Sequence, residues 1–165
     1  MRKHLPSGVD SMVVIVTASF IAVIALLLAL AGGISALSRT GLIILYGIAG
    51  ILALIVAAGW LARPVQYEVR DDSVTIRRSR PFKSITIAKS AMKSVRHFEL
   101  QSFSPTARSL PWVFGYSGRF RNKDLGDFVM VATGPKEVVV IEAGEKYVIS
   151  PANPRRFVHD VSGKK

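Results

Sequence analysis

Between Ser11 and Ala62 the chain carries a single charged side chain, Arg39, and this constrains its fold more than any other feature. Ser11 to Ser38 is a run of 28 uncharged residues, and Thr40 to Ala62 is a second run of 23. At about 1.5 Å of helical rise per residue, each run is long enough to cross a hydrocarbon layer of roughly 30 Å. The spacing predicts helices over 12–36 and 41–62, joined as a transmembrane hairpin that occupies 12–62, with 1–11 as a tail on the cytoplasmic side. The turn falls around Gly32 to Gly41, where Gly, Ser and Thr weaken helix and tolerate headgroup water. Arg2, Lys3 and the small-x-small run Ala29-Leu30-Ala31 also fit a cleaved signal peptide. The apolar stretch is well over the roughly 7 to 15 residues of a signal core, however, and Asp10 interrupts the basic flank, so a retained anchor is the reading.

The flanks set orientation. Arg2 and Lys3 precede the first span, and Arg63, Arg70, Arg77, Arg78 and Arg80 follow the second, whereas the turn offers only Arg39. The positive-inside bias then places both termini in the cytoplasm and the protein in the cell membrane as a multi-pass chain. Trp60 and Tyr46 are expected near opposite headgroup layers. Neither span holds Asp, Glu, Lys, Arg or His, so the usual mark of an ion path or proton relay is missing. Small residues recur at Ala18, Ala22, Ala25, Ala29, Gly32 and Ala36, and at Gly50, Ala53 and Ala57. Such stripes let helices approach closely in lipid. Ala22, Ala25, Ala29, Ala53 and Ala57 are therefore candidate packing positions, either within the hairpin, the preferred reading, or between copies in a homo-oligomer.

Composition sharpens the contrast between the two halves. The 103 residues from Arg63 onward hold 19 of the 22 Lys and Arg and 10 of the 11 Asp and Glu. A chain so divided is neither a simple globular protein, a disordered chain nor a coiled coil. With no Cys it is not a disulfide-stapled module, and it lacks thiol nucleophiles and Cys-based metal sites.

Past Arg63-Pro64 the apolar period becomes two, the pattern of half-buried strands. Val65, Tyr67 and Val69 alternate with Gln66, Glu68 and Arg70. Asp71-Asp72-Ser73 turns the chain into Val74 to Arg77, and strands around Ile85 to Ile87 and Val95 to Leu100 follow. From Gln101 to Gly126 the pattern dissolves into a long loop with room for one short strand near Gly118 to Phe120. Phe128 to Thr133, Val138 to Glu142 and Tyr147 to Ser150 are compact strands, the first apolar enough to be covered on both faces. Asn153-Pro154 is a helix start, an N-cap followed by Pro, and Phe157 and Val161 share one face of a helix over about 154–161. Residues 63–165 thus read as six or seven antiparallel strands with a short terminal helix covering an open end of the sheet.

The order of Gly115-Tyr116-Ser117-Gly118-Arg119-Phe120, Leu125-Gly126-Asp127-Phe128, Ala132-Thr133-Gly134 and Val148-Ile149-Ser150-Pro151-Ala152-Asn153-Pro154, with Phe157 beyond, resembles the prokaryotic membrane-anchored PH-like (bacterial PH) domain family, along essentially the whole chain. The resemblance implies two N-terminal transmembrane helices and an all-β PH-like barrel or sandwich with a short C-terminal capping helix. The family's biochemical role is largely unassigned.

The residues offer no catalytic constellation. The three His, at positions 4, 97 and 159, have no metal-ligand spacing, and the paired carboxylates Asp71-Asp72 and Asp124/Asp127 sit in turns. The expectation is a chain that is not an enzyme and uses no metal or other cofactor. Gly115 and Gly118 frame a Gly-x-x-Gly turn beside Arg119, Arg121 and Lys123. Its glycines serve a tight turn over Trp112, Phe114, Tyr116 and Phe120, or else a phosphate-holding loop; the former is preferred. Arg77, Arg78, Arg80 and Lys83, with Arg119, Arg121 and Lys123, are candidate contacts for anionic lipid headgroups. No nucleic-acid reading motif accompanies the charge. The function expected is a non-enzymatic, membrane-anchored PH-like binding or scaffold protein presenting a basic β domain at the cytoplasmic face. The alternative is an accessory subunit of a membrane enzyme or transporter, with a membrane protein as partner.

Overall fold

The computed structural model describes residues 1–34, 38–110 and 114–163. Two long helices, α1 (Ser11–Gly33) and α2 (Arg39–Ala62), lie antiparallel. Both are long and apolar enough to span a membrane, and only 11% and 6% of their most apolar windows are buried inside the protein. A core helix of a soluble domain would hide those side chains; these face outward. Ser38 caps α2 by accepting a hydrogen bond from the Gly41 amide at 3.2 Å.

The helix seam differs from the sequence expectation. On α1 the inward residues are Val13, Thr17, Phe20, Ile24, Leu27 and Ala31, and on α2 they are Leu42, Leu45, Ala49, Leu52, Val56 and Gly59. Both series step by four and three, the spacing of left-handed helix packing. Ala22, Ala25, Ala29, Ala53 and Ala57 are exposed, so they are not the packing surface within the hairpin. At 100° per residue they fall on the flank and back of the seam. Large side chains interleaved with Ala31, Ala49 and Gly59 fill the seam instead.

The described residues form ten strands in chain order: β1 (Arg2–His4), β2 (Pro64–Val69), β3 (Ser73–Arg78), β4 (Ile85–Ala88), β5 (Ser94–Glu99), β6 (Ser104–Leu110), β7 (Tyr116–Asn122), β8 (Gly126–Ala132), β9 (Glu137–Ala143) and β10 (Glu145–Ile149). They form a four-stranded sheet in the order β1-β2-β3-β4 and a six-stranded sheet in the order β5-β9-β10-β8-β7-β6. A short helix α3 (Pro154–Ser162) ends the fold, its Asn153 cap accepting from the Arg156 amide at 3.0 Å and its C-terminus closed by left-handed Gly163.

Three expectations are corrected here. The sheets are not wholly antiparallel, because β8 and β10 pair in parallel, Tyr147 opposite Val129 and Ile149 opposite Val131. The stretch 101–126 is not one long loop, since β6 and β7 form an antiparallel pair within it. Pro105 is tolerated in β6 because that strand is an edge. Residues 1–11 are not a free tail. Arg2, Lys3 and His4 pair with Val69, Glu68 and Tyr67, and Pro6 bridges Pro151. The first ten residues therefore run as a strap from the far edge of the four-stranded sheet to the start of α1.

The six-stranded sheet has a core on each face. Between the sheets lie Tyr67, Val74, Ile76, Val131, Val139, Ile141 and Ile149, with Phe157 and Val161 of α3 among them. On the other face Phe120, Phe128, Met130, Val138 and Val140 enclose Leu100, Leu125 and Val13 of α1. Alternation explains the arrangement: along β9, Val138 and Val140 point one way and Val139 and Ile141 the other.

Candidate functional site

The geometry follows from how the β domain is joined to the helices. On one side the strap ends at Asp10, whose amide donates to the Thr133 carbonyl and whose carboxylate accepts from the Tyr116 hydroxyl at 3.2 Å. Burial and that contact push the Tyr116 phenol up to about 12. The Phe114 amide donates to Thr17 Oγ1 on α1 at 3.3 Å, and the Phe114 ring meets Trp60 of α2 edge-on at 4.8 Å. Phe114 has φ +61, unusual for a bulky residue, and these two contacts accompany it. On the other side α2 passes through Arg63 directly into β2, with the Arg63 guanidinium 3.5 Å above the Trp60 ring. The domain therefore has a helix-proximal end and a helix-distal end.

Strand register assigns the candidate cations to these ends. Pro64, the first residue of β2, pairs with Arg78, the last of β3. Arg78, Arg80 and Lys83 thus lie in the helix-proximal connection between β3 and β4. Arg78 donates to the Lys83 carbonyl at 2.6 and 3.0 Å and sits 5.9 Å from the Phe82 ring; burial lowers its pKa. Arg77 points elsewhere, to the Glu68 carboxylate at 2.8 Å, a group only 1% exposed that Arg70 also approaches at 3.5 Å. β7 runs from Tyr116 at the proximal end to Asn122, so Arg121 and Lys123 stand about 20 Å away, at the distal end. Arg119 bonds Glu145, and Arg121 bonds Asp127 at 2.6 and 2.9 Å. The seven cations are two separate groups, and three of them are matched by carboxylates.

Gly115 and Gly118 are explained by backbone conformation. Their φ values are +146 and +132, and a Cβ on Gly115 would stand 2.8 Å from the Ala132 carbonyl oxygen. Gly118 lies in β7, paired with Met130 on one side and Ser109 on the other, so the segment is a strand between neighbours. Trp112, expected beneath this turn, lies outside the described residues. Gly115→Ala should lower stability by at least about 1 kcal/mol through clash and φ strain together, read as a lower midpoint in thermal unfolding.

A third cluster escaped the sequence reading. Asp160 of α3, its side chain 4% exposed, accepts from Arg2 and lies 3.1 Å from His4 Nε2. His4 also meets Phe157 edge-on at 5.0 Å. Arg2 and His4 alternate along β1, but a partner 156 residues away leaves no local signal. Burial holds the His4 pKa below its ordinary 6.5, assisted by Arg156 and Arg2 and opposed by Asp160. Burial would raise the Asp160 pKa, but Arg2 and His4 more than offset it and the net direction is down. A His pKa depressed in the folded state means that the unfolded chain takes up the proton first. Its contribution is present above about pH 6.5 and is lost as pH falls through the folded value. Thermal midpoints should therefore fall between pH 7.5 and 5.5, and His4→Gln should shrink that difference. Asp160 titrates below this window.

Among the described residues no group of three or more His, Asp or Glu stands close enough to hold a metal ion. Two helices long and apolar enough to span a membrane, a two-sheet β domain and a terminal helix seated in its core make up a PH-like architecture preceded by candidate membrane spans. The family comparison agrees: the sequence model of the Bacterial PH domain family matches residues 65–165, and the chain belongs to that family. No curated protein and no solved structure matches it significantly.

Proposed function

We propose that this is a non-enzymatic, membrane-anchored binding or scaffold protein whose PH-like domain is seated on the cytoplasmic leaflet, both termini being cytoplasmic. One observation carries the reading: the pairing of Pro64 with Arg78, which sets the β3–β4 connection beside the end of α2. If α2 ends at the lipid interface, Arg63, Arg78, Arg80 and Lys83 lie at headgroup depth together with Trp60 and Phe82. Cations and amphipathic aromatics are the residues that suit that layer. Each cation near an anionic surface contributes on the order of 1 kcal/mol, and the effect fades within a Debye length of about 8 Å. Arg121 and Lys123 are too distant to take part.

The chain has no Cys, so single labels are clean. A fluorophore at Ser84→Cys should be quenched by headgroup spin-labelled lipid in reconstituted vesicles, more strongly when anionic lipid is included, whereas one at Lys123→Cys should not. Equal quenching at both sites, or none at Ser84, contradicts the reading.

A second reading has its own support. Ala22, Ala25, Ala29, Ala53 and Ala57 face outward and are not spent within the hairpin. A helix of a partner membrane protein, or of a second copy, fits such a surface, as an accessory subunit would require. Replacing Ala25 and Ala29 by Leu should then release one stoichiometric membrane partner or dissolve a homo-oligomer.

A further inference from the structure

The two halves of the strap are held by different kinds of contact. β1 pairs with β2 over three residues, and its inward side chains, Arg2 and His4, both reach Asp160 of α3. A strand so short depends on such anchors and can open without the rest of the domain. Beyond it the ties are made by backbone. The Ser7 amide donates to the Ser150 carbonyl at 2.7 Å, the Ala152 amide to the Leu5 carbonyl at 2.9 Å, the Asp10 amide to the Thr133 carbonyl at 3.2 Å, and Thr133 Oγ1 to the Ser7 carbonyl at 2.7 Å. No side chain from Leu5 to Val9 titrates. Charge therefore governs Arg2–His4 and leaves the remainder of the strap alone.

The charged half is crowded. Among the described residues Asp160 is the one carboxylate acting on His4, and Arg2 already bonds it. From α3, Arg156 also faces His4, and His159 places Nδ1 3.8 Å from the same carboxylate. From β2, the cross-strand neighbour is Tyr67, whose phenol burial keeps neutral. Lys3 and Glu68 lie on the other face of the sheet. The His4 side chain is only 9% exposed and stands edge-on to Phe157. A proton on it adds a cation, poorly hydrated, beside Arg2 and Arg156 and to a carboxylate that is already matched. A cavity of about 780 Å³ between β1 and α3, lined by Arg2, His4, Arg156, His159 and Asp160, gives water a route to the cluster.

We propose that β1 is an acid-released strand: when His4 takes up a proton, Arg2–His4 peels from the edge of β2 while Ser7–Asp10 stays tied to Thr133 and Ser150. Burial and the two Arg hold the docked His4 pKa below 6.5 against the pull of Asp160. Released into water, His4 regains its ordinary value, so protons favour the released strand. Between the two values the ratio of released to docked chains grows by up to about tenfold per pH unit. Peeling uncovers the hydrogen-bonding edge of β2 and one side of Phe157, an edge open to another extended chain. Because β1 pairs with Tyr67–Val69, at the helix-distal end of β2, the release does not depend on how the helix-proximal cations meet lipid.

The test uses the full chain in nanodiscs of zwitterionic lipid, spin-labelled at Lys3→Cys and Thr86→Cys. Lys3, Glu68, Thr75 and Thr86 stand in one row across β1, β2, β3 and β4, so the docked labels are attached about 14 Å apart and broaden each other's spectra. Broadening is expected at pH 7.5 and should be lost reversibly by pH 5.5. A second pair, Val9→Cys with Thr86→Cys, should keep one distance distribution throughout. His4→Phe retains a ring against Phe157 without a titrating nitrogen and should hold the broadening at pH 5.5. His4→Gln, smaller and also neutral, is read in the same way and covers the case in which Phe does not fit. His159→Gln should leave the response of the parent chain in place. Broadening that persists at pH 5.5 in the parent, an equal loss in the docked His4 variants, or movement of both label pairs together overturns the proposal.

Discussion

Phe157→Ala is expected to cost the β domain about 3–5 kcal/mol, the range for removing a buried aromatic ring. For a domain of about 100 residues that corresponds to a fall in Tm of at least about 12 °C. The ring is fully buried between the two sheets, edge-on to Tyr67 at 6.3 Å and to His4 at 5.0 Å. Tyr67 in turn donates from its hydroxyl to the Val131 carbonyl at 3.0 Å, tying the four-stranded sheet to the six-stranded one. Losing Phe157 therefore removes the wedge that holds α3, and with it the surface on which β1 lies. Limited trypsin treatment should cut after Arg2 or Lys3 in the variant at protease levels that leave the parent chain intact. Near-UV circular dichroism of the solubilised chain reports the midpoint. A melt within about 3 °C of the parent would show that α3 is an accessory of the fold and not part of its core.

Phe120→Ala addresses the opposite face of the same sheet, with a similar expected loss of about 3–5 kcal/mol. Phe120 is fully buried and stands among Phe103, Tyr116 and Phe128 with ring centroids 5.5, 6.4 and 6.2 Å away. Tyr116 carries the hydroxyl that meets Asp10, and Val13 of α1 is part of this core. The consequence differs from that of Phe157→Ala. Here the joint between β domain and helices should loosen, so that hydrogen exchange rises at Gly115–Ser117 and Asp10–Val14 while β1 stays protected. If both variants open the same segments, the two cores do not act separately and the account of a docked joint is wrong.

Much of the fold was legible because it repeats. Two long uncharged runs, period-two alternation from Tyr67 to Ile76, and Asn153-Pro154 followed by Phe157 and Val161 each state a local preference that the tertiary structure keeps; Val65, expected to face inward with Tyr67, is instead exposed where the register shifts between Pro64 and Gln66. The missing parts lack such repetition. Arg2-Lys3-His4 has no alternation of apolar and polar residues, and its place in the sheet depends on Asp160 and the edge of β2. Ser104 to Leu110 mixes Ser, Pro and Arg, and becomes a strand because β7 supplies its hydrogen-bond partners. The parallel pairing of β8 with β10 is a property of topology, invisible in either strand alone.

The same distinction separates the candidate sites. Sequence proximity grouped Arg77 with Arg78, and charge alone grouped Arg119 to Lys123 with both. Glu68, Glu145 and Asp127 claim three of these cations across strands, and register sends the rest to opposite ends of the domain. Small residues misled in a similar way. Ala22, Ala25 and Ala29 form a stripe on the helical wheel, but which face meets α2 is decided by the entry of α1 from the strap at Asp10, not by side-chain size.

Sidedness of the helix hairpin tests the central claim most directly. In sealed cells, a single Cys at Thr40, exposed beside the turn and outside the Ser38 cap, should react with an impermeant maleimide added to the medium. A single Cys at Ser162, on the exposed end of α3, should react only after the membrane is opened. Labelling of Ser162→Cys in sealed cells with Thr40→Cys protected, or of both positions alike, would contradict a hairpin that crosses twice and seats its β domain on the inner leaflet.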